Sequence, residues 1–377
     1  MDFSVVSEYI EKVLREEKGV PGCDLQIMRG HEVLFRYKSG TSDYEGEKPV
    51  AGNELYFMYS CTKPITCTAA MQLVERGVLS LDEPVSRWLP AFENAFLVRD
   101  GVRVKPECTM TLRHLFTMTA GFDYNREAEP IQKVIKEQPD ASTLDVVNSF
   151  VRSPLQFEPG ERFLYSLCHD VLAAVEEAAS GMRFSDYLQE NIFKPLGMTE
   201  TGFVVPEDMR GRMAAQFRAD GVNKKHAVPQ TNEYHLTAAY ESGGAGLYST
   251  VSDYSKFCDA MACGGVGING ARILKAETID LMRSEQLSCY TENNAFSCAA
   301  GPGYGYGLGV RTLISQAKGQ RSSIGEFGWD GAAGAYMMMD PEKELSIFFA
   351  MHVLGWPAMI GYGHAPIRDL TYEVLGL

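Results

Sequence analysis

Ser60 and Lys63 stand three residues apart in Ser60-Cys61-Thr62-Lys63, at the predicted start of a helix. Residues at that spacing share one helix face, so the amine can reach the hydroxyl. A serine hydroxyl becomes a useful nucleophile only when a neighbouring base takes its proton. An S-x-x-K pair supplies such a base without histidine. Two further stations follow in chain order. Pro159-Gly160-Glu161-Arg162-Phe163-Leu164-Tyr165-Ser166 puts a phenol just ahead of a predicted helix, and Phe327-Gly328-Trp329-Asp330-Gly331 closes a predicted strand. Taken singly, Ser60 reads more readily as a helix cap and Tyr165 as a packed aromatic. The ordered set of three favours chemistry.

The elements that must carry these residues follow from periodicity. Residues 3–17 are amphipathic at helical spacing, with Val6, Ile10, Val13 and Leu14 on one face. Strand-like runs Cys23–Met28 and Glu32–Tyr37 are joined at Arg29-Gly30-His31 as a hairpin. Residues 64–76 read as a helix stopping at Gly77, with Pro64 in its first turn. Between about 80 and 240 the pattern is helical and loop-rich. Thr111 caps a short helix through Met118, 166–180 stops at Gly181, and Ser185 caps a helix ending at Phe193 before Pro195. After Gly243-Gly244-Ala245-Gly246 come a helix over Ser252–Ala262 and strands near Gly307–Leu313, Ser322–Gly328, Ala335–Met339 and Leu345–Val353; a last helix covers 366–375. Strands at both ends with helices between predict an α+β fold: an antiparallel sheet from both termini, with an inserted helical lobe. The expected division is an α/β lobe of about 1–79 plus 240–377 and a helical lobe of about 80–239, in one catalytic unit. Ser60 then falls where the lobes meet, a favoured place for a ligand cleft.

Composition narrows the function. The chain has 377 residues, 45% of them hydrophobic and 22% charged, so it can bury a large core. Its net charge of −14, with the acids dispersed, argues against nucleic acid or an anionic membrane as partner. There is no apolar run of the ~18 residues that a membrane span requires, and no signal-like apolar region near the start. Nine cysteines without C-x-x-C spacing read as free thiols of a reducing compartment, so the expected location is cytoplasmic. Seven histidines form no H-E-x-x-H, and no metal or organic cofactor is expected.

The three stations together resemble the serine β-lactamase and penicillin-binding-protein superfamily, in its class C-like branch, and within it the family VIII carboxylesterases and related acyltransferases. Supporting stretches are Leu112-Arg113-His114-Leu115-Phe116-Thr117-Met118-Thr119-Ala120-Gly121, Tyr165-Ser166-Leu167-Cys168-His169-Asp170-Val171-Leu172, Phe193-Lys194-Pro195-Leu196-Gly197-Met198 and Gly243-Gly244-Ala245-Gly246-Leu247-Tyr248-Ser249-Thr250. The resemblance spans nearly the whole chain and implies a class C β-lactamase-like fold. It makes Ser60 the acylated nucleophile, with Lys63 and Tyr165 sharing the work of base and acid. Free lysine titrates near ~10.4 and tyrosine near ~10, so the chemistry needs one of them shifted. Neighbouring groups of this kind titrate as a pair, with the proton on either. The resemblance also implies an oxyanion hole from the backbone N–H groups of Ser60 and Ala332, donors worth roughly 3–4 kcal/mol of barrier each.

Two departures matter. The family's β-lactamases carry Y-x-N at the second station, where this chain has Leu167. At the third they carry a cation, where this chain has Trp329 followed by Gly331. Without amide and cation, recognition of a β-lactam or peptide carboxylate loses its usual basis, and an apolar aromatic wall favours acyl esters. Trp329, Gly331 and Leu167 are therefore the expected substrate-binding positions, although Trp329 reads equally as interior packing. No class A deacylation glutamate is apparent, leaving Tyr165 to activate water.

Other features have quieter readings. His114 and His169 are expected to be hydrogen-bonded structural residues, and Asp170 a cap or brace of the Tyr165 helix. Gly265-Val266-Gly267-Ile268-Asn269-Gly270 follows a helix rather than a strand, which argues against a nucleotide site. The alternating Gly303, Gly305, Gly307 and Gly309 permit close strand packing or mobility near the cleft. Loops 121–145 and 285–303 are expected to shape the pocket. The reading is a serine hydrolase acting through an acyl-enzyme on carboxylic esters of modest chain length, or transferring the acyl group to an alcohol or amine, with a small-molecule ester or amide as the expected partner. A weak β-lactamase or D-amino-acid peptidase and a catalytically silent binding protein are the alternatives.

Overall fold

Both ends of the chain contribute strands to one seven-stranded antiparallel sheet, in the order Glu32–Gly40, Gly22–Arg29, Leu345–Met351, Tyr336–Asp340, Phe327–Asp330, Arg311–Leu313, Tyr304–Tyr306. The computed structural model describes residues 1–287, 301–317 and 319–377. Gly30 and His31 sit at φ 55° and 71°, and Arg29 pairs with Glu32. Two left-handed residues in a two-residue loop match the right-handed strand twist, which is why the hairpin closes at this dipeptide.

Side-chain alternation sorts the sheet into two faces. Leu25, Ile27, Tyr336, Met338, Ile347 and Phe349 meet Val6, Ile10 and Leu14 of the first helical segment and Ile367 and Tyr372 of the last. Met337, Met339, Phe348 and Ala350 face the other way, into a core shared with Phe116, Leu172 and Phe257. Tyr254 of the Val251–Ala262 helix stacks on Phe348 at 4.4 Å. One continuous core thus runs from the sheet into the helices that hold the second station.

Several boundaries differ from the periodicity. The strand expected over Ser322–Gly328 is Phe327–Asp330, because Ser323–Gly325 bend to bring Gly325 N–H onto Leu313 O at 2.7 Å. Ser185 lies inside a helical turn starting at Phe184; its N–H and hydroxyl, each at 2.8 Å, donate to Glu241 instead of capping. Pro195 does not end that helix but sits in the first turn of its continuation, Lys194–Leu196. The helical middle also carries two hairpins. Leu97–Arg99 pairs with Val102–Val104, and Gln216–Ala219 with Lys225–Val228; Gln216–Ala219 also pairs in parallel with Val353–Leu354.

The glycine-rich runs are tight-packing devices. An added Cβ would lie 2.3 Å from Ser315 O at Gly303, 2.0 Å from Met282 O at Gly307, and 2.1 Å from Cys67 Sγ at Gly309. Gly265 and Gly270, at φ 82° and 79°, shape a turn closed by Gly267 N–H on Ala271 O at 2.8 Å, not a phosphate loop. No described helix is long and apolar enough to cross a membrane. The seven described cysteines are free thiols. Of the loop expected at 285–303, residues 288–300 lie outside the described residues.

Candidate active site

Ser60 is presented by a strained turn. It occupies a 3-10 turn, Tyr59–Cys61, that leads directly into the Thr62–Glu75 helix. Tyr59 ahead of it adopts φ 47°, a conformation a bulky residue enters only when its surroundings enforce it. The enforcement is visible: Tyr59 is fully buried and its hydroxyl donates to Gln216 Oε1 at 2.6 Å. Ser60 itself remains partly exposed.

One helical turn on, the buried Lys63 places Nζ 3.3 Å from Ser60 Oγ. The same nitrogen lies 2.7 Å from the Gly244 carbonyl oxygen and 3.1 Å from the Tyr124 hydroxyl. Held by Gly244 and Tyr124, the amine keeps its third hydrogen-bonding direction on the Ser60 hydroxyl. The Lys63 helix is latched to the glycine segment twice more, through Thr66 Oγ1 to Gly243 O at 2.7 Å and Leu247 N–H to Thr62 Oγ1 at 3.1 Å.

Tyr165 arrives from the second station, three residues before the Cys168–Ser180 helix. Lys63 Nζ sits over its ring at 4.6 Å from the centroid, a cation–π distance. Its hydroxyl accepts from Trp329 Nε1 at 3.3 Å. Among the described residues no hydrogen bond joins the Tyr165 hydroxyl to Lys63 or Ser60; ring contact and shared neighbours bring the phenol into the group. Tyr124, Tyr165 and Trp329 form a stack with centroid spacings of 5.4 and 5.7 Å, and Tyr306 meets Trp329 edge-on at 5.3 Å.

Trp329 is therefore both packed, at 9% exposure, and a wall of the group. A Cβ on Gly331 would fall 2.4 Å from the Met58 carbonyl oxygen, so only glycine lets the third station lie against the chain leading to Ser60. Ala332, next in sequence, is exposed beside that contact. Leu167 is nearly buried and lines a recess of about 290 Å³ with Phe122, Ile131 and Phe150.

Tyr124 is the residue that sequence reasoning missed. It lay within a loop expected to shape the pocket, but nothing in its spacing ties it to Lys63. Burial, then Tyr165 and Asp170 nearby, hold its phenol well above the ordinary tyrosine range. It stays protonated and serves as a hydrogen-bonding partner. Gly244 contributes a carbonyl, which no sequence letter announces.

The flanking groups are quiet. Burial pushes the Cys61 and Cys67 thiols up, so neither is a thiolate at neutral pH. His169 is pushed down to about 3, by burial and then by Lys63; its Nε2 lies 3.3 Å from Phe116 O. His114 Nδ1 accepts the Thr111 N–H at 3.2 Å, the reciprocal half of a helix cap. His31, Asp259 and Cys263 gather donor atoms within 4.8 Å at the hairpin tip. There Asp259 accepts from His31 Nδ1 at 2.7 Å and from its backbone N–H at 3.1 Å, which pins the hairpin to the Val251–Ala262 helix.

The Beta-lactamase family profile matches residues 8–367. The chain belongs to the β-lactamase family. Among its relatives, protein Rv1367c of Mycobacterium tuberculosis is 30% identical, the match covering 94% of this chain and 95% of that protein. Esterase EstB of Burkholderia gladioli is 29% identical, over 96% of this chain and 93% of its own. The solved structure of EstCE1, described as a hydrolase with promiscuous acyltransferase activity, superposes with a TM-score of 0.81 at 26% identity and covers 98% of each chain. The sheet, its flanking helices and their order are those of a β-lactamase-like fold.

Proposed function

We propose that this β-lactamase-family protein is a serine hydrolase that cleaves small carboxylic esters of modest chain length through an acyl-enzyme on Ser60. The observation carrying the reading is the placement of Lys63 Nζ, 3.3 Å from Ser60 Oγ and held by Gly244 O and Tyr124. In the first step Lys63 takes the Ser60 proton as Oγ attacks the ester carbonyl, and the N–H groups of Ser60 and Ala332 receive the developing oxyanion. Among the described residues neither N–H has a backbone acceptor. The Lys63/Tyr165 pair then returns a proton to the departing alcohol. In the second step Tyr165 and Lys63 activate water, or an alcohol acceptor, to release the acyl group.

The choice of esters is supported by the wall of Trp329, Tyr165, Tyr124 and Tyr306, which puts aromatic surface where the family's β-lactamases carry a cation. It is also supported by the relatives described as esterases. Trp329 and Gly331 are assigned to substrate binding, and Leu167 to the recess behind the second station. The same reading places the protein in the cytoplasm as a catalytic unit of two lobes, about 1–79 plus 240–377 and about 80–239; its free thiols fit a reducing compartment.

The test is intact-mass detection of an adduct on Ser60 after exposure to a fluorophosphonate, alongside hydrolysis of p-nitrophenyl esters and nitrocefin. Labelling that vanishes in Ser60→Ala, with ester turnover far above nitrocefin turnover, is expected. Fast nitrocefin turnover with negligible ester cleavage would reverse the substrate assignment.

A further inference from the structure

The acid four residues past the second station reaches away from its own helix. Asp170, in the first turn of Cys168–Ser180, is 1% exposed. Its Oδ1 accepts from Tyr240 Oη at 2.7 Å, Ser242 Oγ at 2.6 Å and Gly244 N at 3.4 Å. All three donors belong to the segment that delivers the Gly244 carbonyl to Lys63. The second oxygen, Oδ2, has no hydrogen-bond partner among the described residues. A buried carboxylate left in that state is costly unless a positive charge lies near.

The glycines show that the Lys63 amine lies beside that oxygen. A Cβ built on Gly244 would lie 2.5 Å from Asp170 Oδ2 and 3.4 Å from Lys63 Nζ, so carboxylate and amine press on the same face of this residue. A Cβ on Gly243 would lie 2.4 Å from His169 O and 2.7 Å from the Ala173 side chain. The double glycine is thus seated directly on the helix that carries Asp170, with its two carbonyls turned to Thr66 and Lys63.

We propose that Asp170 is a positioning residue for Lys63: its carboxylate fixes the Gly243–Gly244 backbone so that the Gly244 carbonyl holds the amine against Ser60, and its charge supports the ammonium formed when Ser60 gives up its proton. The proposal rests on the acyl-enzyme reading above. It adds a residue that touches neither substrate nor reacting atoms.

Asp170→Asn keeps the shape and the Oδ1 acceptor while removing the charge. The expected result is fluorophosphonate labelling of Ser60 to full stoichiometry but slower by roughly one to two orders of magnitude, the loss a displaced catalytic group brings. With a p-nitrophenyl ester kcat should fall while KM stays within about twofold, because a transition-state interaction is lost rather than uniform binding. Labelling at the wild-type rate overturns the proposal. So does a lower kcat matched by an equally lower labelled fraction, which would mean only partial folding. If the variant does not fold, Tyr240→Phe and Ser242→Ala each remove one donor to Oδ1, and unchanged labelling rates in both overturn it. Wild-type protein that never labels at Ser60 sinks the acyl-enzyme reading itself, and this proposal with it; that outcome is distinct from a loss confined to the variants.

Discussion

Trp329 Nε1–H donates to the Tyr165 hydroxyl over 3.3 Å while the two rings stack at 5.7 Å. The third station thereby holds the second in place and spends one lone pair of the phenol. Trp329→Phe keeps the stack and removes the donor. A single hydrogen bond is worth ~0.5–1.5 kcal/mol, so kcat on p-nitrophenyl esters should drop by about two- to tenfold. Steady-state kinetics check this; an unchanged kcat would show that the bond does not position Tyr165.

Tyr124→Phe removes one of the two acceptors that orient the Lys63 amine. The ring remains to stack on Tyr165, so the fold should hold. Loss of one oriented contact is expected to lower the acylation rate by about tenfold. Stopped-flow measurement of the burst phase reads that step directly, apart from deacylation.

Gly331→Ala drives a methyl to within 2.4 Å of the Met58 carbonyl oxygen. Backbone on both sides must separate, at a cost of about 1–3 kcal/mol for overpacking. Because Met58 leads into Ser60 and Gly331 into Ala332, activity should fall further than stability. Denaturant titration and ester turnover on the same sample give the two quantities.

Acid should weaken the fold through buried histidine. Burial pushes His352 down to about 4, and its Nδ1 lies 2.9 Å from Ala214 O, so the neutral ring donates there. Below the ordinary value near 6.5 the unfolded chain takes up a proton that the folded chain refuses. Stability is therefore present above pH ~6.5 and is lost as pH falls toward 4, by about 1.4 kcal/mol per unit for this site. In His352→Asn that contribution disappears. Urea denaturation at several pH values should show the wild-type advantage over the variant shrinking between pH 6.5 and 4.

Much of the frame was legible in the linear sequence. The hairpin at Gly30-His31, the helix from Thr62 to Glu75 and the strand over Leu345–Met351 follow from turn chemistry and local periodicity, which depend on neighbours in the chain. The Ser60–Lys63 contact was legible for the same reason: three residues along a helix are one turn apart whatever the rest of the protein does. Ser322–Gly328 misled because only Phe327 and Gly328 enter the strand, while the residues before them turn to set the Gly325 N–H on Leu313 O.

What tertiary structure alone decided is the company Lys63 keeps. Its partners Tyr124 and Gly244 lie 61 and 181 residues away along the chain. One is a phenol with no distinctive spacing, and the other is a carbonyl that every residue possesses. Such contacts arise when helices and strands distant in sequence share one core, and that packing selects them by distance and direction rather than by residue type. The nucleophile and its amine are consequences of local helix geometry; the orientation of that amine, and the stacking of Trp329 on Tyr165, belong to the assembled fold.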